Sequence, residues 1–171
     1  IPIEAKMKPE DIRAGNNVAL LEMLASGVTS FSDMYDFPEV CAEDVGLAGI
    51  KANLCRPLIC FDKDMKADEC ERIRESEEFF REYNGAYDGR LLVDFAVHSE
   101  YLSNADIVAR YAEIAKELGR RVQLHLSETK SEHEGGIERN GITPAAWFAK
   151  LGLFDSPCYC AHCVWCTEED L

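Results

Sequence analysis

The sequence predicts an α/β fold built around a parallel sheet. Strand-like stretches alternate with single amphipathic helices along most of the 171 residues, and this alternation is typical of parallel strands joined by right-handed crossovers. An apolar share of 47% is enough for one globular core. Two architectures fit the pattern: a doubly wound open sheet, or part of a (β/α)8 barrel, whose complete form needs eight strands and roughly 250 residues.

Helices are predicted where apolar residues recur at helical spacing behind a capping residue. The clearest has Ser103 or Asn104 as its N-cap, since short polar side chains accept hydrogen bonds from the first turn. Thr143 as N-cap and Pro144 at the first helical position indicate another. The predicted helices span residues 9–26, 67–85, 103–119 and 143–152, with the start of a further one at 167–171.

Strands are predicted where short apolar runs are bounded by glycine, proline or polar residues. No helix is predicted between the first two strands, and residues 127–136 are interpreted as a loop in which His133 is solvated. The predicted strands span residues 28–35, 49–60, 91–99, 121–128 and 158–164.

Four of these strands carry a polar residue of catalytic type at the carboxyl end. The residues are Asp33, His98, His125 and His162, and Glu128 follows His125 by three positions. The carboxyl ends of parallel strands meet at one edge of the sheet, where α/β enzymes place their active sites. We therefore expect the three histidines to share one site, although any one of them alone would be interpreted as a hydrogen-bonded core histidine.

The His-x-x-Glu pattern of His125 and Glu128 suggests metal-assisted hydrolysis. A neutral imidazole is a good ligand for zinc or ferrous iron. A carboxylate a few residues further on can take a proton from a metal-bound water and deliver it to a leaving group. The alternative interpretation of Glu128 is a surface glutamate in the loop after a strand.

Four of the eight cysteines lie in the stretch CYCAHCVWC, residues 158–166. A structural zinc site usually takes its four ligands from two separate knuckles, and only one dense run is present here. Strand alternation also puts Cys160 and Cys163 on opposite faces. We interpret the run as buried strand cysteines, and the eight as mostly buried free thiols of a cytoplasmic protein. An iron–sulfur or zinc protein built on this run is the alternative.

Charge and hydropathy exclude several kinds of partner. The net charge of −14, from 32 acidic and 18 basic residues, disfavours nucleic acid and anionic membranes. No apolar run approaches the roughly 18 residues of a membrane span, and the amino-terminal stretch IPIEAKMKPED has no apolar segment of signal-peptide type. A small neutral or cationic molecule is the partner that the composition favours.

Four segments together resemble the metal-dependent amidohydrolases. They are ALLEMLASGVTSFSDMY, FAVHSEYLS, VQLHLSET and CYCAHCVWCTEEDL, in the order and approximate spacing of that family. The subgroup they resemble contains the S-adenosylhomocysteine/methylthioadenosine deaminases, guanine deaminase and triazine hydrolases. The resemblance implies a partial (β/α)8 barrel in which residues 1–171 form a single partial domain with roughly strands 2 to 6 and their helices.

The resemblance also implies a role for each residue at the strand ends. His125 matches a metal ligand, zinc rather than iron, and Glu128 matches the acid/base that handles the metal-bound water. His162 matches the histidine that contacts the attacking water or the substrate, and His98 matches one that faces the substrate. Asp33 matches a structural aspartate. The implied reaction is hydrolytic deamination of an aminated heterocycle, such as a nucleobase, nucleoside or triazine, by metal-bound hydroxide.

The sequence departs from the family pattern in three places. It contains no His-x-His pair and no aspartate of an eighth strand, and Glu100 stands where the family usually has proline. The expectation is therefore an internal piece of an amidohydrolase that binds no metal at its active position and is inactive alone. Its open sheet edges allow a homo-oligomer. The alternative is a non-catalytic α/β binding or regulatory module that has retained the motifs.

Overall fold

The structure is a computed structural model that describes residues 2–171, in which helices alternate with parallel strands. The helices are α1 (Pro9–Ala25), α2 (Pro38–Ala48), α3 (Glu71–Tyr83), α4 (Ala86–Gly89), α5 (Ala105–Glu117), α6 (Lys130–Asn140) and α7 (Pro144–Lys150). The strands are β1 (Ser30–Met34), β2 (Lys51–Cys55), β3 (Pro57–Leu58), β4 (Leu91–Val93), β5 (Phe95–Val97), β6 (Val122–Leu126) and β7 (Cys158–His162).

The chain divides into two compact units. The first runs to Arg56 and includes Glu77–Val93, and the second comprises Pro57–Ser76 and Asp94–Leu171. Each unit contains one parallel sheet. The strand order is β1–β2–β4 in the first unit and β3–β5–β6–β7 in the second. The prediction of a single domain over residues 1–171 stays a prediction.

The first unit has a core between its sheet and helices α1 and α2. Val45 of α2, Leu54 of β2 and Leu91 of β4 are at most 1% exposed and belong to one apolar cluster. α2 was not predicted, although Pro38 at its first position and Gly49 after its end are start and stop signals. Gly49 has a φ of +72°, a left-handed conformation that ends helices and favours glycine.

The second unit contains the helix that the sequence predicts best. The side chain of Asn104 accepts a hydrogen bond of 3.0 Å from the backbone N–H of Ile107, which confirms it as the N-cap of α5. A buried stripe of Ile107, Tyr111, Ile114 and Leu118 was predicted. The first three are at most 2% exposed and face the core, but Leu118 follows the last residue of α5 and is 40% exposed, so the prediction is wrong for it. Thr143 caps α7 in the same way, and its hydroxyl accepts from the N–H of Ala146 at 3.2 Å.

Two predicted strands are each interrupted by one charged residue. The stretch 49–60 contains β2 and β3 on either side of Arg56, and the stretch 91–99 contains β4 and β5 on either side of Asp94. Asp94 is 2% exposed, and its carboxylate accepts hydrogen bonds of 2.8 Å from both Arg120 and Arg121. A buried carboxylate needs such partners, so Asp94 joins the start of β5 to the chain before β6.

Helix α6 replaces the loop that was predicted over residues 127–136. Thr129 is its N-cap and accepts a hydrogen bond of 3.2 Å from the N–H of Glu132. The prediction that His133 is solvated is wrong, because it is 8% exposed and its Nδ1 lies 3.1 Å from Ser127 Oγ. The predicted helix start at 167–171 is a short 3-10 turn, Glu168–Asp170.

The sheet edges bear on the prediction of a homo-oligomer. β1 and β7 each pair with one strand among residues 2–171, which leaves backbone groups of each strand without a sheet partner in that range. Assembly through these edges stays a prediction. None of the described helices combines the length and the apolar character needed to cross a membrane.

Candidate active site

Three imidazole rings lie side by side at the carboxyl ends of three neighbouring strands in the second unit. The ring centroids of His98 and His125 are 5.0 Å apart, and those of His125 and His162 are 5.3 Å apart. His98 follows β5, His125 is the residue before the last one of β6, and His162 is the last residue of β7. The parallel pairing of these strands therefore forms the row.

His98 and His125 are also joined by hydrogen bonds that involve a single carbonyl oxygen. The oxygen of His98 accepts from the backbone N–H of His125 at 3.3 Å, and His125 Nδ1 lies 3.2 Å from the same atom. A carbonyl oxygen can only accept, so Nδ1 of His125 carries the proton. The lone pair of His125 is consequently on Nε2, as in many metal-binding histidines whose other nitrogen donates to a carbonyl.

Glu128 and His162 meet at the exposed end of the row. Glu128 Oε2 lies 3.5 Å from His162 Nε2, and the two side chains are 51% and 37% exposed. His162 has a φ of +76° and Cys163 has a φ of +54°. Left-handed conformations are uncommon for residues other than glycine and concentrate at functional sites. The turn after β7 is held by a hydrogen bond of 2.8 Å from the N–H of Cys163 to the oxygen of Leu126.

The backbone of Glu128 is held by Glu132, a residue that was not among the predicted site residues. The backbone N–H of Glu128 donates to Glu132 Oε2 at 2.9 Å, and Glu132 is 7% exposed. The signal for this contact was present, because Thr129 and Glu132 form the Thr-x-x-Glu pattern that marks the start of a helix. The contact was not predicted because residues 127–136 were interpreted as a loop.

Glu100 connects the loop after β5 to the last turn of α6. Its side chain is 4% exposed, and its carboxylate accepts from Arg139 Nε at 3.2 Å and Nη2 at 2.5 Å. Asn140 Nδ2 donates to the same carboxylate at 2.6 Å. Because Glu100 lies two positions after His98, these bonds fix the segment that carries the first imidazole of the row.

Asp33 lies in the first unit, near the end of β1, and is half-buried. Burial raises the pKa of its carboxyl group, and a hydrogen bond from the backbone N–H of Met34 partly opposes the shift. The Cys41 thiol donates to Asp33 Oδ2 at a distance of 4.0 Å. A structural role for Asp33 stays a prediction.

The cysteine run CYCAHCVWC is half-buried rather than fully buried. Cys158, Cys160, Cys163 and Cys166 are free thiols of intermediate exposure, while Cys41, Cys55, Cys60 and Cys70 are free and buried. Burial raises the pKa of Cys158 to about 11 and, together with the neighbouring thiols, that of Cys160 to about 12. Both thiols are therefore protonated at neutral pH.

His125 can serve as one ligand of a metal ion, but the described residues do not provide a complete metal site. The unprotonated Nε2 of His125 has the donor chemistry that zinc accepts. Catalytic zinc normally takes three protein ligands, and residues 2–171 contain no group of three or more His, Cys, Asp or Glu side chains that could hold a metal ion. The remaining ligands of such a site would have to come from outside this range.

Comparison with known proteins identifies the family. The amidohydrolase family matches residues 3–171 of the sequence. The chain belongs to the amidohydrolase family. The predicted resemblance is therefore confirmed.

Curated relatives of this amidohydrolase chain are named as deaminases. It is 37% identical over 171 residues to a 5-methylthioadenosine/S-adenosylhomocysteine deaminase of Acetivibrio thermocellus, covering 100% of this chain and 39% of the relative. It is 33% identical over 170 residues to a 5'-deoxyadenosine deaminase of Methanosarcina barkeri, covering 99% of this chain and 39% of the relative. The chain thus spans about two fifths of the length of the relatives that it matches.

Solved structures of amidohydrolases match the fold. An adenosine deaminase from Xanthomonas campestris with bound zinc superposes with a TM-score of 0.87 at 26% identity, over 99% of this chain and 38% of that chain. A guanine deaminase from C. acetobutylicum with bound guanine superposes with a TM-score of 0.85 at 15% identity, over 99% and 42%. The predicted fold class, part of a (β/α)8 barrel with parallel strands, is confirmed.

Proposed function

We propose that this chain is part of a metal-dependent amidohydrolase that deaminates an aminated heterocycle by hydrolysis. The observation that carries the proposal is the row of His98, His125 and His162, with centroid spacings of 5.0 and 5.3 Å and Glu128 at its end. Nitrogen ligands and a carboxylate at the carboxyl ends of parallel strands are suited to metal-assisted hydrolysis. The names of the curated relatives favour a nucleoside of the adenosine type as the substrate.

His125 is the residue of this chain that would bind the metal, through Nε2. Zinc is favoured over iron because the adenosine deaminase from Xanthomonas campestris is described with bound zinc. The metal, when bound, would lower the pKa of the water used in hydrolysis. The hydrogen bond of 3.2 Å from His125 Nδ1 to the oxygen of His98 orients the ring and fixes the tautomer that binding requires.

Glu128 acts first as a general base and then as a general acid. Its carboxylate takes a proton from the attacking water and delivers a proton to the departing nitrogen, which leaves as ammonia. His162, whose Nε2 lies 3.5 Å from Glu128 Oε2, contacts the water or the substrate beside this carboxylate. The hydrogen bond from the Glu128 N–H to Glu132 Oε2 positions the backbone from which this side chain projects.

His98 faces the substrate, and Asp33 has a structural role in the first unit.

The ligand is a small molecule rather than nucleic acid or a membrane, since the net charge is −14. The eight free thiols support a reducing compartment, for which we propose the cytoplasm. Pairing through the edges of β1 and β7 would give a homo-oligomer.

The 171-residue chain is inactive by itself under this proposal. It spans 39% of the length of its curated relatives, and His125 alone cannot hold a catalytic metal that normally takes three protein ligands. Stoichiometric zinc in the isolated chain, measured by mass spectrometry, would refute this part of the proposal. So would release of ammonia by the isolated chain.

The test of the reaction uses the complete open reading frame that contains these residues. Ammonia release is measured with a panel of aminopurine nucleosides, aminopyrimidines and aminotriazines. We expect turnover of an adenosine-type substrate, with kcat lowered by about 10²- to 10⁴-fold in Glu128→Gln, the range for loss of a general acid–base. Glu117→Gln, which changes a 66% exposed carboxylate on α5, is the matched control. No turnover of any member, or full activity of Glu128→Gln, contradicts the proposal.

A further inference from the structure

A cluster of three thiols lies at the end of β7 in the second unit. Cys160, Cys163 and Cys166 are free and half-buried, and side-chain hydrogen bonds link the thiol of Cys163 to those of Cys160 and Cys166. The predicted strand reached residue 164, but β7 ends at His162, so strand alternation does not separate Cys160 from Cys163. None of the roles assigned above uses these thiols.

The backbone after β7 turns twice and brings the three cysteines together. It is left-handed at His162 and Cys163, with φ values of +76° and +54°, and the Cys163 thiol donates to the oxygen of Cys160 at 3.9 Å. The next turn is closed by a hydrogen bond of 3.3 Å from the N–H of Cys166 to the oxygen of Cys163. A four-residue turn keeps its first and last Cα atoms within about 7 Å, and a disulfide needs about 4.4–6.8 Å. The turn therefore suits a disulfide between Cys163 and Cys166.

This turn is also held by contacts with the segment after β6. The N–H of Cys163 donates to the oxygen of Leu126 at 2.8 Å, and the N–H of Trp165 donates to the oxygen of Ser127 at 3.0 Å. The ammonium group of Lys130 lies 5.9 Å from the centre of the Trp165 ring, a cation–π distance. Because these contacts limit the motion of the turn, less conformational entropy is lost when its two cysteines are joined.

Cys160 is a less suitable partner for Cys163 than Cys166 is. Burial, together with the neighbouring thiols, raises the pKa of Cys160 to about 12, and only the thiolate attacks a disulfide. Burial also raises the pKa of Cys166, but a hydrogen bond from the Ser127 hydroxyl opposes that shift. Cys166 therefore reaches the reactive form more readily.

We propose that Cys163 and Cys166 form a reversible disulfide by exchange with a small-molecule disulfide. One of the two protein thiolates attacks a sulfur of the small disulfide, forms a mixed disulfide and releases one small thiolate. The other protein thiolate attacks the protein sulfur of the mixed disulfide and releases the second small thiolate. Two electrons pass from the protein to the small disulfide, and the protons of the two protein thiols end on the two small thiols.

The disulfide would respond to oxidising conditions rather than act as a permanent crosslink. Excess small thiol reverses the exchange, and disulfides in reducing compartments are usually transient. The modified turn directly follows His162, at the carboxyl end of β7. The proposal stands apart from the proposed deamination, because exchange requires neither turnover nor a metal.

The test equilibrates the 171-residue chain in glutathione buffers of graded ratios of reduced to oxidised form. Free thiols are then blocked with N-ethylmaleimide, the disulfides are reduced, and the released thiols are labelled with iodoacetamide for mass spectrometry. We expect iodoacetamide on Cys163 and Cys166 of the same molecules, and N-ethylmaleimide on Cys158 and Cys160. Unfolding in urea is expected to lower the equilibrium constant of disulfide formation by about tenfold or more, because the turn is lost.

Serine variants separate this pair from the neighbouring cysteines. Cys163→Ser and Cys166→Ser are each expected to abolish the disulfide. Cys158→Ser is the matched control, because this half-buried thiol belongs to the same stretch but donates to the oxygen of Leu153 at 3.4 Å. It is expected to leave the equilibrium constant unchanged, and so is Cys160→Ser.

Three results would overturn the proposal. The first is absence of an intramolecular disulfide at every glutathione ratio, whether the thiols stay free, carry glutathione or join two chains. The second is a disulfide in which Cys158 or Cys160 takes the place of Cys166. The third is an equal equilibrium constant in the folded and the urea-unfolded chain. Labelling of the unmodified chain decides the question even if a serine variant does not fold.

Discussion

The carbonyl oxygen of His98 lies 3.2 Å from Nδ1 of His125 and also accepts the backbone N–H of His125 at 3.3 Å. The carbonyl oxygen of His98 thus links the ends of β5 and β6 and fixes the proton of His125 on Nδ1. Hydrogen bonds of this kind fix the tautomer of the ring and hold the direction of the opposite nitrogen. The relationship is therefore a prerequisite for His125 to serve as a ligand.

We expect His125 to be protonated on Nδ1 when it is neutral. Free neutral histidine in proteins can carry its proton on either nitrogen, but the His98 oxygen can only accept. Long-range 1H–15N NMR of the 171-residue chain, recorded at a pH at which the ring is neutral, distinguishes the two tautomers. A signal pattern of the Nε2–H tautomer for His125 would contradict the assignment and remove the argument for Nε2 as a ligand.

Glu100→Gln is expected to lower the free energy of unfolding by about 2 kcal/mol, because it replaces a buried carboxylate that accepts charge-assisted hydrogen bonds. The carboxylate is 4% exposed and accepts from Arg139 and Asn140. Urea unfolding of the chain and the variant measures the change. The control is Glu117→Gln, whose exposed ion pair of 3.7 Å with Arg110 contributes at most about 1 kcal/mol. Equal effects of the two substitutions would mean that the buried position of Glu100 has no energetic consequence.

A Gly→Ala substitution is expected to lower the free energy of unfolding in α6 and to raise it in α1. At Gly136 of α6 an added Cβ would lie 2.8 Å from Cγ of Pro144, so overpacking of about 1–3 kcal/mol outweighs the gain in helix propensity. At Gly15 of α1 nothing lies within 4 Å of the added Cβ, and a stabilisation of about 0.5–1 kcal/mol is expected. Thermal unfolding of both variants gives the two signs. Stabilisation by Gly136→Ala would show that α6 does not approach Pro144 as described.

Alkaline pH is expected to destabilise the chain in part through Cys41. Burial, aided by the charges of Asp33 and Asp44, raises the pKa of this thiol from 9.0 to about 12. The folded state then holds the proton more tightly than the unfolded state, so the free energy of unfolding falls as pH rises from about 9 towards 12. Denaturant unfolding at several pH values measures this fall. Cys41→Val, which keeps an apolar side chain of similar size, should make it less steep, and parallel profiles would argue against the raised pKa.

Much of the fold follows from local signals that the sequence displays directly. Asn104 and Thr143 stand where helices α5 and α7 begin, and both accept the hydrogen bonds of an N-cap. α6 was missed because Gly135 and Gly136 lower the helix propensity of its centre by about 1 kcal/mol each. Its stability comes from tertiary contacts, since Gly136 packs against Pro144 and Arg139 pairs with Glu100, 39 positions earlier.

The sequence by itself determined that histidines would stand at the carboxyl ends of three strands, because strand boundaries and the parallel order are local and topological properties. Only the tertiary structure decided that His133 is buried against Ser127 and that Glu132 holds the backbone of Glu128. These contacts depend on the position of α6 relative to the strand ends. Hydrogen-bond geometry has a tolerance of a few tenths of an ångström, and residue spacing along a chain does not specify position at that scale.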